Sequence, residues 1–502
     1  MTELSPSKPT VAMRQKLVRL RSLGTEPFAL RFKRARPVHH IKRKFEHLIP
    51  GQEDSSRIRV AGRIRQIRLH GRLAFATLQD SSEAIQLVFE DSFLLSRTPR
   101  SIRRPTKEIT ELLDIGDIVG ADGAPIRTRK GELSVKVHKL TLLTKALRPL
   151  PEKWHGLRDP EAKQRRRYLD LASSLESRHV VWVRAKVLKA FRRILEERGF
   201  VEVETPVLQV TAGGALARPF TTRHHVLDIS LYLRVAPELY LKRLLVGGLE
   251  RVYEIGRNFR NEGIDRDHNP EFTMLEAYQA YGDYEDMMDL AETLIREAAL
   301  AVRGSLRFEY RGRPLDLEPS WRRASLLDLL SEVLGEAVEL DQRSLESAAA
   351  RHGLEVDPAW GPGKIALELY EKRVERTVWD PTFVIDFPRE VSPLARAHRS
   401  KPGLTEQFDL VIAGMEMGPA YSELTDPDEQ RDRFLAQQDL RRRGDEEAHP
   451  LDEDFLEALE HGMPPAGGIG IGVDRVTMIL ADEPSIRDVI LFPHLRPETG
   501  KA

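Results

Sequence analysis

Hydrophobic and polar residues alternate with a period of two on both sides of a polar loop within positions 253–278, which include the stretch RNFRNEGIDRDHNPEFTMLEAY at 257–278. In the first half Tyr253, Ile255 and Phe259 occupy every second position, and the second alternation begins after Pro270. Because successive side chains of a strand point to opposite faces, this pattern predicts two strands joined by a polar loop. One face of the pair then carries Glu254, Asn258, Arg260, Glu262, Phe272, Glu276 and Tyr278.

The polar face of this predicted pair combines a guanidinium, aromatic rings and carboxylates. The planar fork of Arg260 suits a phosphate or a carboxylate. The ring of Phe272 can stack on a base, and carboxylates can hold an ammonium group. The set therefore favours a nucleotide and an amino acid held together. The alternative is a hairpin whose polar face meets only water, which is less consistent with aromatic residues interleaved among the carboxylates.

Short alternating segments also follow one another between residues 57 and 145, with glycines at the turns. They predict five strands and a small β-barrel. Before them, residues 13–23 show helical spacing of apolar positions among basic ones, and Gly24 ends the pattern. This short basic helix would either lie on a nucleic acid backbone or pack against the next domain.

Beyond the barrel, LRPLP at 147–151 predicts a stiff linker, and RAKVLKAFRRILEERGF from residue 184 predicts a helix that leads into the strand VEVETP. Helix-rich sequence at about 320–377 interrupts the later strands. We therefore expect a basic helical extension at 1–50, the barrel at 51–146, a linker at 147–170, and a larger domain at 171–502 with a helical insertion at about 320–377.

The chain closes on a strand and helix with the sequence GGIGIGVDRV from residue 467. Alternation leaves the face with Gly468, Gly470 and Gly472 open for a flat ligand. Arg475 then lies at the start of the following helix, where it can cover that ligand. A dinucleotide-binding fingerprint is the rival interpretation, and it fails because no glycine falls at the third required position.

A second strand pair is predicted in FDLVIAGMEMGPAYSELTD, which starts at residue 408. If its turn is centred between Ile412 and Ala413, Asp409 and Glu416 become cross-strand partners on one face. Two opposed carboxylates repel unless a cation lies between them. The pair therefore favours a magnesium site that bridges the phosphates of a nucleotide. Exposure of both carboxylates to water is the alternative.

Composition narrows the class of protein. With 502 residues, 41% of them hydrophobic and 31% charged, the chain can form two or more domains with sizeable cores. It has no apolar run of membrane-spanning length, and MTELSPSKPT lacks the apolar stretch of a secretory signal, so we expect a cytoplasmic protein without membrane contact. The absence of cysteine excludes disulfides, thiolate nucleophiles and Cys-ligated zinc.

A formal net charge of zero conceals an uneven distribution. Residues 1–145 carry 29 Lys and Arg against 15 Asp and Glu, and the remainder carries 49 against 63. The basic first third is able to attract a polyanion such as a nucleic acid, but a merely soluble surface would look the same. Charge alone leaves both interpretations open.

The stretch at 257–278 resembles motif two of class II aminoacyl-tRNA synthetases, in the form found in lysyl-tRNA synthetases of bacterial type. The resemblance runs from about residue 13 to 497 and includes the segments TAGGALARPF, RVAPELYLKRLLVGG, YSEL and GIGIGVDR. The helix from residue 184 resembles motif one, where family dimers meet. No HIGH or KMSKS pair of the class I synthetases is present.

This resemblance implies an α+β protein in which an OB-fold barrel that binds the anticodon precedes an antiparallel-sheet catalytic domain. It implies a homodimer that forms lysyl-adenylate from L-lysine and ATP with Mg2+ and then passes the lysyl group to the 3′ end of tRNA(Lys). No covalent enzyme intermediate is needed. The rivals are a non-catalytic tRNA-binding paralogue and a lysine ligase that acts on elongation factor P, a type without the barrel.

The resemblance also implies roles for individual residues. The catalytic set is Arg260, Glu262, His268 and Arg475. The ATP-binding set is Arg260, Glu262, Arg266, His268, Asn269, Phe272, Glu416, Gly472 and Arg475. The lysine-binding set is Gly214, Glu238, Arg260, Glu276, Tyr278, Tyr421 and Glu423. The metal ligands are Asp409 and Glu416, and the anticodon is bound by Phe75, Gln86 and Glu132.

The sequence departs from the family pattern at two of these places. Asp409 stands where the family usually has Glu, which keeps the charge on a shorter arm. Pro419 stands where the family commonly has an Asn that helps to hold the amino acid, and proline offers neither a side-chain amide nor a backbone donor. Without the resemblance, Phe75 would be interpreted as a core residue of the barrel.

Overall fold

The structure is a computed structural model that describes residues 8–33, 35–90, 105–151, 157, 159–443 and 447–497. It divides the chain into two compact units, residues 1–159 and 160–502. Parts of the predicted extension and of the predicted linker lie outside the described residues. The proposed domain boundaries stay predictions.

Five strands of the first unit form a closed barrel in the order β1-β2-β3-β5-β4. Their bounds are β1 Ile58–His70, β2 Leu73–Gln79, β3 Ala84–Glu90, β4 Ile118–Arg127 and β5 Leu133–Thr144. Inward residues such as Val60, Ile64, Leu78 and Val135 are fully buried, as the alternating pattern requires. The barrel predicted from sequence is confirmed.

The helices in the described part of this unit are α1 Lys8–Ser22, α2 Val38–Lys44 and α3 Pro105–Leu112. Helix α1 includes the predicted basic segment, and Gly24 beyond it has a φ of 69°, the left-handed conformation that ends helices. Leu20 of α1 and Ile41 of α2 pack into the barrel core. The apolar side of α1 therefore packs against the barrel, as one of the two interpretations required. Its arginines Arg14, Arg19 and Arg21 are exposed.

The second unit is organised around an eight-stranded sheet in the order β14-β15-β16-β17-β18-β11-β10-β6. Its strands are β6 Val201–Glu202, β10 Arg251–Phe259, β11 Glu271–Ala280, β14 Arg322–Ser325, β15 Thr382–Ile385, β16 Gln407–Ile412, β17 Met415–Ser422 and β18 Ala466–Gly472. All neighbours are antiparallel except the outer pairs β6 with β10 and β14 with β15. The expected antiparallel α+β architecture is confirmed.

Two small sheets complete the strands, with β7 Leu208–Gln209, β8 Thr221–His224 and β9 Ile229–Leu233 in one and β12 Arg307–Tyr310 and β13 Arg313–Asp316 in the other. The helices of this unit are α4 Pro160–Arg165, α5 Arg167–Ser173, α6 Leu175–Glu197, α7 Glu238–Val246, α8 Tyr284–Arg303, α9 Leu326–Leu334, α10 Gln342–Arg351, α11 Pro362–Leu369, α12 Pro427–Arg442, α13 Glu453–Glu460, α14 Val473–Ala481 and α15 Ile486–Val489. Within the described part of the chain, no helix is long and apolar enough to cross a bilayer.

One face of the sheet packs on α6, α8 and α14. Residues of α6 at helical spacing, including Val183, Val187 and Phe191, share a core with Leu275 and Ile471 of the sheet. Helix α6 begins at Leu175, nine residues before the start indicated by the sequence. The reason is a cap: the side chain of Ser174 accepts a hydrogen bond from the backbone N–H of Ser177.

A buried charge cluster joins α6 and α14 to the sheet. Arg184 of α6 pairs with Asp474 of α14 and donates to Thr273 Oγ1 of β11 at 2.8 Å. The second oxygen of Asp474 accepts from the backbone N–H of Thr273 at 2.7 Å. Asp474 is 2% exposed, so its charge depends on these partners rather than on water. The cluster holds the helix start beside the central strand.

We predict that Arg184→Met lowers the free energy of unfolding of this unit by about 3–5 kcal/mol, because it leaves the buried carboxylate of Asp474 without its cation. The matched control is Arg193→Met on the same helix, where the exposed pairs with Glu197 and Glu297 are worth about 0–1 kcal/mol. Urea unfolding of both variants checks the difference, and equal losses would contradict it.

Candidate active site

The two strands predicted around residues 257–278 form as a hairpin of β10 and β11. Glu254 lies opposite Glu276, and Asn258 lies opposite Phe272. Tyr253 points to the other face and is buried in the core, as the alternation predicts. Strand β10 ends at Phe259, so Arg260 and Glu262 belong to the loop rather than to the strand.

Not every polar residue on this face is available for a ligand. The carboxylate of Glu254 accepts from the N–H and hydroxyl of Thr205 and forms an ion pair with the buried Arg234. Its role is therefore structural. Asn258 is 1% exposed, and its side-chain amide has no hydrogen-bond partner among the described residues.

A cavity of about 210 Å³ opens at this end of the sheet. Both predicted strand pairs and the glycine-rich strand contribute to its wall. Its lining residues are Arg260, Glu262, Gly263, Asp267, His268, Asn269, Phe272, Thr273, Met274, Glu416, Met417, Gly418, Pro419, Gly472, Asp474, Arg475 and Ile486. The fold thus brings together every residue expected to bind ATP except Arg266, which is exposed and donates to the carbonyl of Pro484 at 2.6 Å.

Two guanidinium groups approach this cavity. Arg260 lies over the ring of Phe272 at 5.1 Å, and its buried Nε has no partner among the described residues. Arg475 donates to the carbonyl oxygen of Glu416 at 2.5 Å and lies 3.3 Å from one carboxylate oxygen of that residue. His268 is exposed in the loop, within 3.0 Å of the carboxylate of Asp265. Cations therefore flank the cavity where anionic groups would need compensation.

The expected cross-strand pairing of Asp409 with Glu416 is wrong. Glu416 lies opposite Val411 because the turn comes one residue later than expected, and a bulge beyond this pair adds one residue to β17, so Asp409 lies opposite Pro419. The turn falls at Ala413 and Gly414, whose φ values are 54° and 71°, rather than between Ile412 and Ala413. An ideal alternating pattern could not anticipate the bulge.

Asp409 and Glu416 nevertheless act on each other electrostatically. Burial raises the pKa of Asp409 well above its usual value, and the charge of Glu416 raises it further. Glu375, contributed by the inserted segment, accepts from the backbone N–H of Glu416 at 3.3 Å, and burial together with Glu416 raises its pKa to about 7. Accumulated negative charge of this kind is relieved by a divalent cation.

The donor set fits Mg2+ held partly by a substrate. Among the described residues, no group of three or more His, Asp or Glu is arranged as a complete metal site. Magnesium is commonly bound through one or two carboxylates while phosphate oxygens and water fill its other positions. Asp409 and Glu416 would supply the protein ligands in such a site.

A cluster of buried polar side chains, called the pocket below, lies beside Gly468 of the glycine-rich strand. Glu238 of α7, Glu276 and Tyr278 of β11 and Glu423 just after β17 are all buried there. The hydroxyl of Tyr278 donates to Glu276 at 3.2 Å. The family resemblance placed these four residues in one lysine-binding set, although they come from segments separated by up to 185 positions.

Gly468 explains why β18 needs glycine at this place. A Cβ there would lie 2.0 Å from an oxygen of Glu423 and 2.4 Å from the ring of Tyr278. The missing side chain therefore makes room for a carboxylate and a ring that line the pocket. The face of β18 predicted to be open does face the site, but at Gly468 it accommodates protein groups.

Lys242 of α7 supplies an ammonium group that the sequence analysis missed. It is completely buried, with its Nζ 2.6 Å from Glu238 and 2.5 Å from Glu423. Its spacing of four from Glu238 was an available signal for a helical ion pair. Its contact with Glu423 had no sequence signal. Lys242 compensates part of the negative charge that the three carboxylates bring into the pocket.

The remaining charge is expensive to bury. Burial raises the pKa of Glu276 to about 8, and the neighbouring charge of Glu238 adds to this. Burial likewise raises the pKa of Glu423 to about 8, although Lys242 opposes the shift. Apart from the ion pair of one oxygen with Lys242, neither carboxylate oxygen of Glu423 has a hydrogen-bond partner among the described residues. An additional cation in the pocket would therefore stabilise the charged form of these carboxylates.

The other expected contacts with the amino acid lie at the edge of this pocket. Tyr421 is half-buried in β17, and Gly214 lies in the loop before α7 with a φ of 92°. The backbone N–H of Gly214 donates to the ring of His449 at 2.8 Å, a residue that the sequence analysis also missed. Because 235 positions separate the two residues, local patterns carry no trace of the contact.

Pro419 occupies a central strand, where proline is normally avoided. It lies two residues beyond the extra residue of the β17 bulge and lines the large cavity. The local interruption of pairing at the bulge explains how the missing backbone donor is tolerated. Next to it, a Cβ on Gly418 would lie 1.8 Å from the carbonyl oxygen of Gly470, so this stretch is closely packed.

The residues expected to read an anticodon lie on the barrel. Phe75 is half-buried on β2 and is not part of the barrel core, so its interpretation as a core residue is wrong. Gln86 accepts from the hydroxyl of Ser134 at 3.1 Å, and Glu132 is exposed just before β5. Thr77 links the first two, since it follows Phe75 on the same face of β2 and lies opposite Gln86.

Comparison with known proteins assigns the family. The family described as "tRNA synthetases class II (D, K and N)" matches residues 159–496, and "OB-fold nucleic acid binding domain" matches residues 58–143. The chain belongs to the class II aminoacyl-tRNA synthetases.

The relatives that resemble this chain along its whole length carry a narrower name. A protein of Syntrophomonas wolfei, named lysine-tRNA ligase, is 48% identical over 100% of this chain and 99% of its own length. Proteins with the same name from Prochlorococcus marinus strain MIT 9303 and Thermosynechococcus vestitus are 51% and 49% identical, and the matches cover 96% and 97% of this chain and 96% of each relative.

We predict that Lys242→Met lowers the free energy of unfolding by about 3–5 kcal/mol at pH 9 and by less at pH 6. Without the ammonium group the pKa values of Glu238 and Glu423 rise, so protonation at lower pH removes the repulsion between them. Urea unfolding at both pH values measures the effect.

The control for this variant is Lys364→Met, which also removes a lysine with a partner four residues away. Lys364 pairs with Glu368, which keeps Lys372 as a second partner. The expected change is about 0–1 kcal/mol at both pH values. A loss in Lys242→Met that does not depend on pH would show that packing rather than charge is responsible.

Proposed function

We propose that the protein is a lysine-tRNA ligase that activates L-lysine with ATP and Mg2+ and transfers the lysyl group to the 3′ end of tRNA(Lys) for translation. The observation that carries the proposal is the buried pocket with Glu238, Glu276 and Glu423 beside a cavity flanked by Arg260 and Arg475. The pocket suits the two ammonium groups of lysine, and the cavity suits the phosphates of ATP.

The chemistry of amino acid activation accounts for the arginines at the cavity. The carboxylate of lysine must approach the α-phosphate of ATP, so two anions meet while negative charge develops on pyrophosphate. Arg260, between the pocket and the cavity, is suited to neutralise both anions. Phe272 would support the adenine, and Arg475 would cover it from the start of α14. Arg260 must then leave the face of Phe272 that it covers in the free protein.

Specificity for lysine follows from the separation of two ammonium-binding ends. Glu238 and the loop at Gly214 would hold the α-amino end, while Glu276, Tyr278 and Glu423 would hold the ε-ammonium. A substrate with a neutral side chain would leave carboxylates buried without partners, which is costly. Tyr421 would pack against the aliphatic part of the substrate.

The proposed assembly is a cytoplasmic homodimer. Large apolar side chains are exposed in and around the small strands that follow α6. They are Val201, Val207, Leu208, Val210, Val226, Leu227 and Ile229, with exposures between 39% and 89%. So many neighbouring apolar groups favour burial against a second copy.

The activity is tested by exchange of labelled pyrophosphate into ATP with each of the twenty amino acids. Only lysine should support rapid exchange, and Arg260→Ala should suppress it because the two anions lose their shared cation. Purified tRNA(Lys) should then accept the lysyl group. Absence of lysine-dependent exchange would favour a non-catalytic tRNA-binding paralogue. Lysylation of elongation factor P instead of tRNA would favour the other rival.

We predict that Phe75→Ala weakens charging of tRNA(Lys) and leaves lysine-dependent exchange unchanged. Phe75 lies in the barrel, and loss of stacking on one base costs about 1–3 kcal/mol. Glu132→Ala should act in the same direction. Equal losses in both reactions would remove the anticodon role from this face of the barrel.

We predict that KM for lysine falls as the pH rises from 6 to 9. Burial raises the pKa of Glu276 to about 8, so its carboxyl is largely neutral at the lower pH and becomes a carboxylate, which can pair with an ammonium group, at the higher pH. KM for ATP should not follow the same curve. In Glu276→Gln, binding should be weaker and this part of the pH dependence should be reduced, whereas an unaltered profile would assign the dependence to another group.

A further inference from the structure

We infer that His449 is a positioning residue for recognition of the α-amino group: it accepts from the backbone N–H of Gly214, so that this donor is occupied within the protein and does not face the amino acid. The inference rests on the proposed function and deepens it. It concerns a residue outside the sets expected from the sequence.

His449 is completely buried between α12 and α13, and its ring is stacked on Phe434 with centroids 4.6 Å apart and planes at 7°. Its Nε2 accepts from the backbone N–H of Gly214 at 2.8 Å. Its Nδ1 lies 2.7 Å from the carbonyl oxygen of Pro450, to which it donates. Stacking and both ring nitrogens fix the orientation of the imidazole.

These partners require one form of the ring. A nitrogen that accepts from Gly214 must carry no proton, while the nitrogen beside Pro450 must carry one, so the ring is the neutral Nδ1–H tautomer. Burial lowers the pKa of His449 to about 4, and the cations Lys242 and Arg441 act in the same direction. The acceptor therefore persists throughout the pH range in which the enzyme would work.

The loop that carries Gly214 has no regular secondary structure, so its peptide planes are not fixed by a helix or a sheet ladder. Contact with His449 directs the Gly214 N–H toward the imidazole, so this donor is not free to repel an incoming ammonium group. The close approach also explains Gly213, where a Cβ would lie 2.9 Å from the imidazole ring. On the other side, a Cβ on Gly214 would lie 3.0 Å from the Cβ of Glu238.

The arrangement forms a continuous line from α12 to the substrate. Phe434 supports the imidazole, the imidazole holds Gly214, and Gly214 lies against Glu238, the expected partner of the α-ammonium. The same small cavity is lined by Gly214, Tyr421 and His449. His449 therefore acts through the backbone and need not touch lysine.

The test compares His449→Phe with His449→Gln. Phenylalanine keeps a flat ring against Phe434 but cannot accept from Gly214, whereas the amide oxygen of glutamine can. In the exchange reaction, His449→Phe should raise KM for lysine about tenfold, the effect of one lost hydrogen bond, with kcat and KM for ATP nearly unchanged. His449→Gln should restore most of the affinity. His461→Phe, an exposed substitution after α13, should behave as the wild type.

A second ligand separates positioning from general damage. 6-Aminohexanoate has the ε-ammonium and carboxylate of lysine but no α-amino group, so its inhibition constant should change less than about twofold in His449→Phe. Equal weakening of lysine and 6-aminohexanoate, or an unchanged KM for lysine, would overturn the inference. Failure of wild-type protein to show lysine-dependent exchange would instead overturn the proposed function.

Discussion

Burying several carboxylates in one pocket is the constraint on which the site of the catalytic unit depends. Glu238, Glu276 and Glu423 are buried, and Lys242 forms ion pairs with Glu238 and Glu423. Such charge is unfavourable in the free protein, which is why burial raises the pKa of Glu276 and Glu423 to about 8. Under the proposed function this unfavourable charge favours binding, since a diammonium substrate would bring further cations to the buried carboxylates.

The antiparallel sheet makes that arrangement possible because its two faces have different tasks. On β11, Leu275 and Ala277 pack against helices, while Glu276 and Tyr278 point to the pocket. On β18, Ile469 and Ile471 belong to the core, and the glycines between them leave space for protein and ligand groups. Each of these strands therefore contributes one face to the core and the other to the pocket. Asp474, paired with Arg184, holds Thr273 of β11 in place.

The barrel and the catalytic unit differ in the charge and the type of side chain that each offers to a ligand. The first unit is basic and presents Phe75 outside its core, as suits stacking and attraction of a polyanion. The second unit carries the excess of acidic residues and uses them in the buried pocket and at Asp409 and Glu416. The formal net charge of zero is the sum of a basic first part of the chain and an acidic remainder.

Sequence alone determined the elements that follow from local periodicity. The five barrel strands, the hairpin that carries Glu276 and Tyr278, and the glycine-rich strand before Arg475 were all predictable, because alternation reports which side chains share a face. The family resemblance then implied which of these side chains meet. The same resemblance showed that Pro419 departs from the Asn that the family commonly has at this position.

Tertiary structure alone decided the features that depend on irregular backbone and distant partners. A turn one residue later than expected, together with the bulge in β17, placed Asp409 opposite Pro419 rather than Glu416, and no alternating pattern encodes the position of an extra residue. Packing left Phe75 outside the barrel core, where the alternating pattern without the resemblance would have put it, and paired Glu254 with Arg234. Lys242 met Glu423, and His449 met Gly214, only because the folded chain joins segments that are far apart in sequence. Local patterns specify faces, whereas compensation of a buried charge or an unpaired N–H is settled by whichever group the completed fold brings within hydrogen-bonding distance.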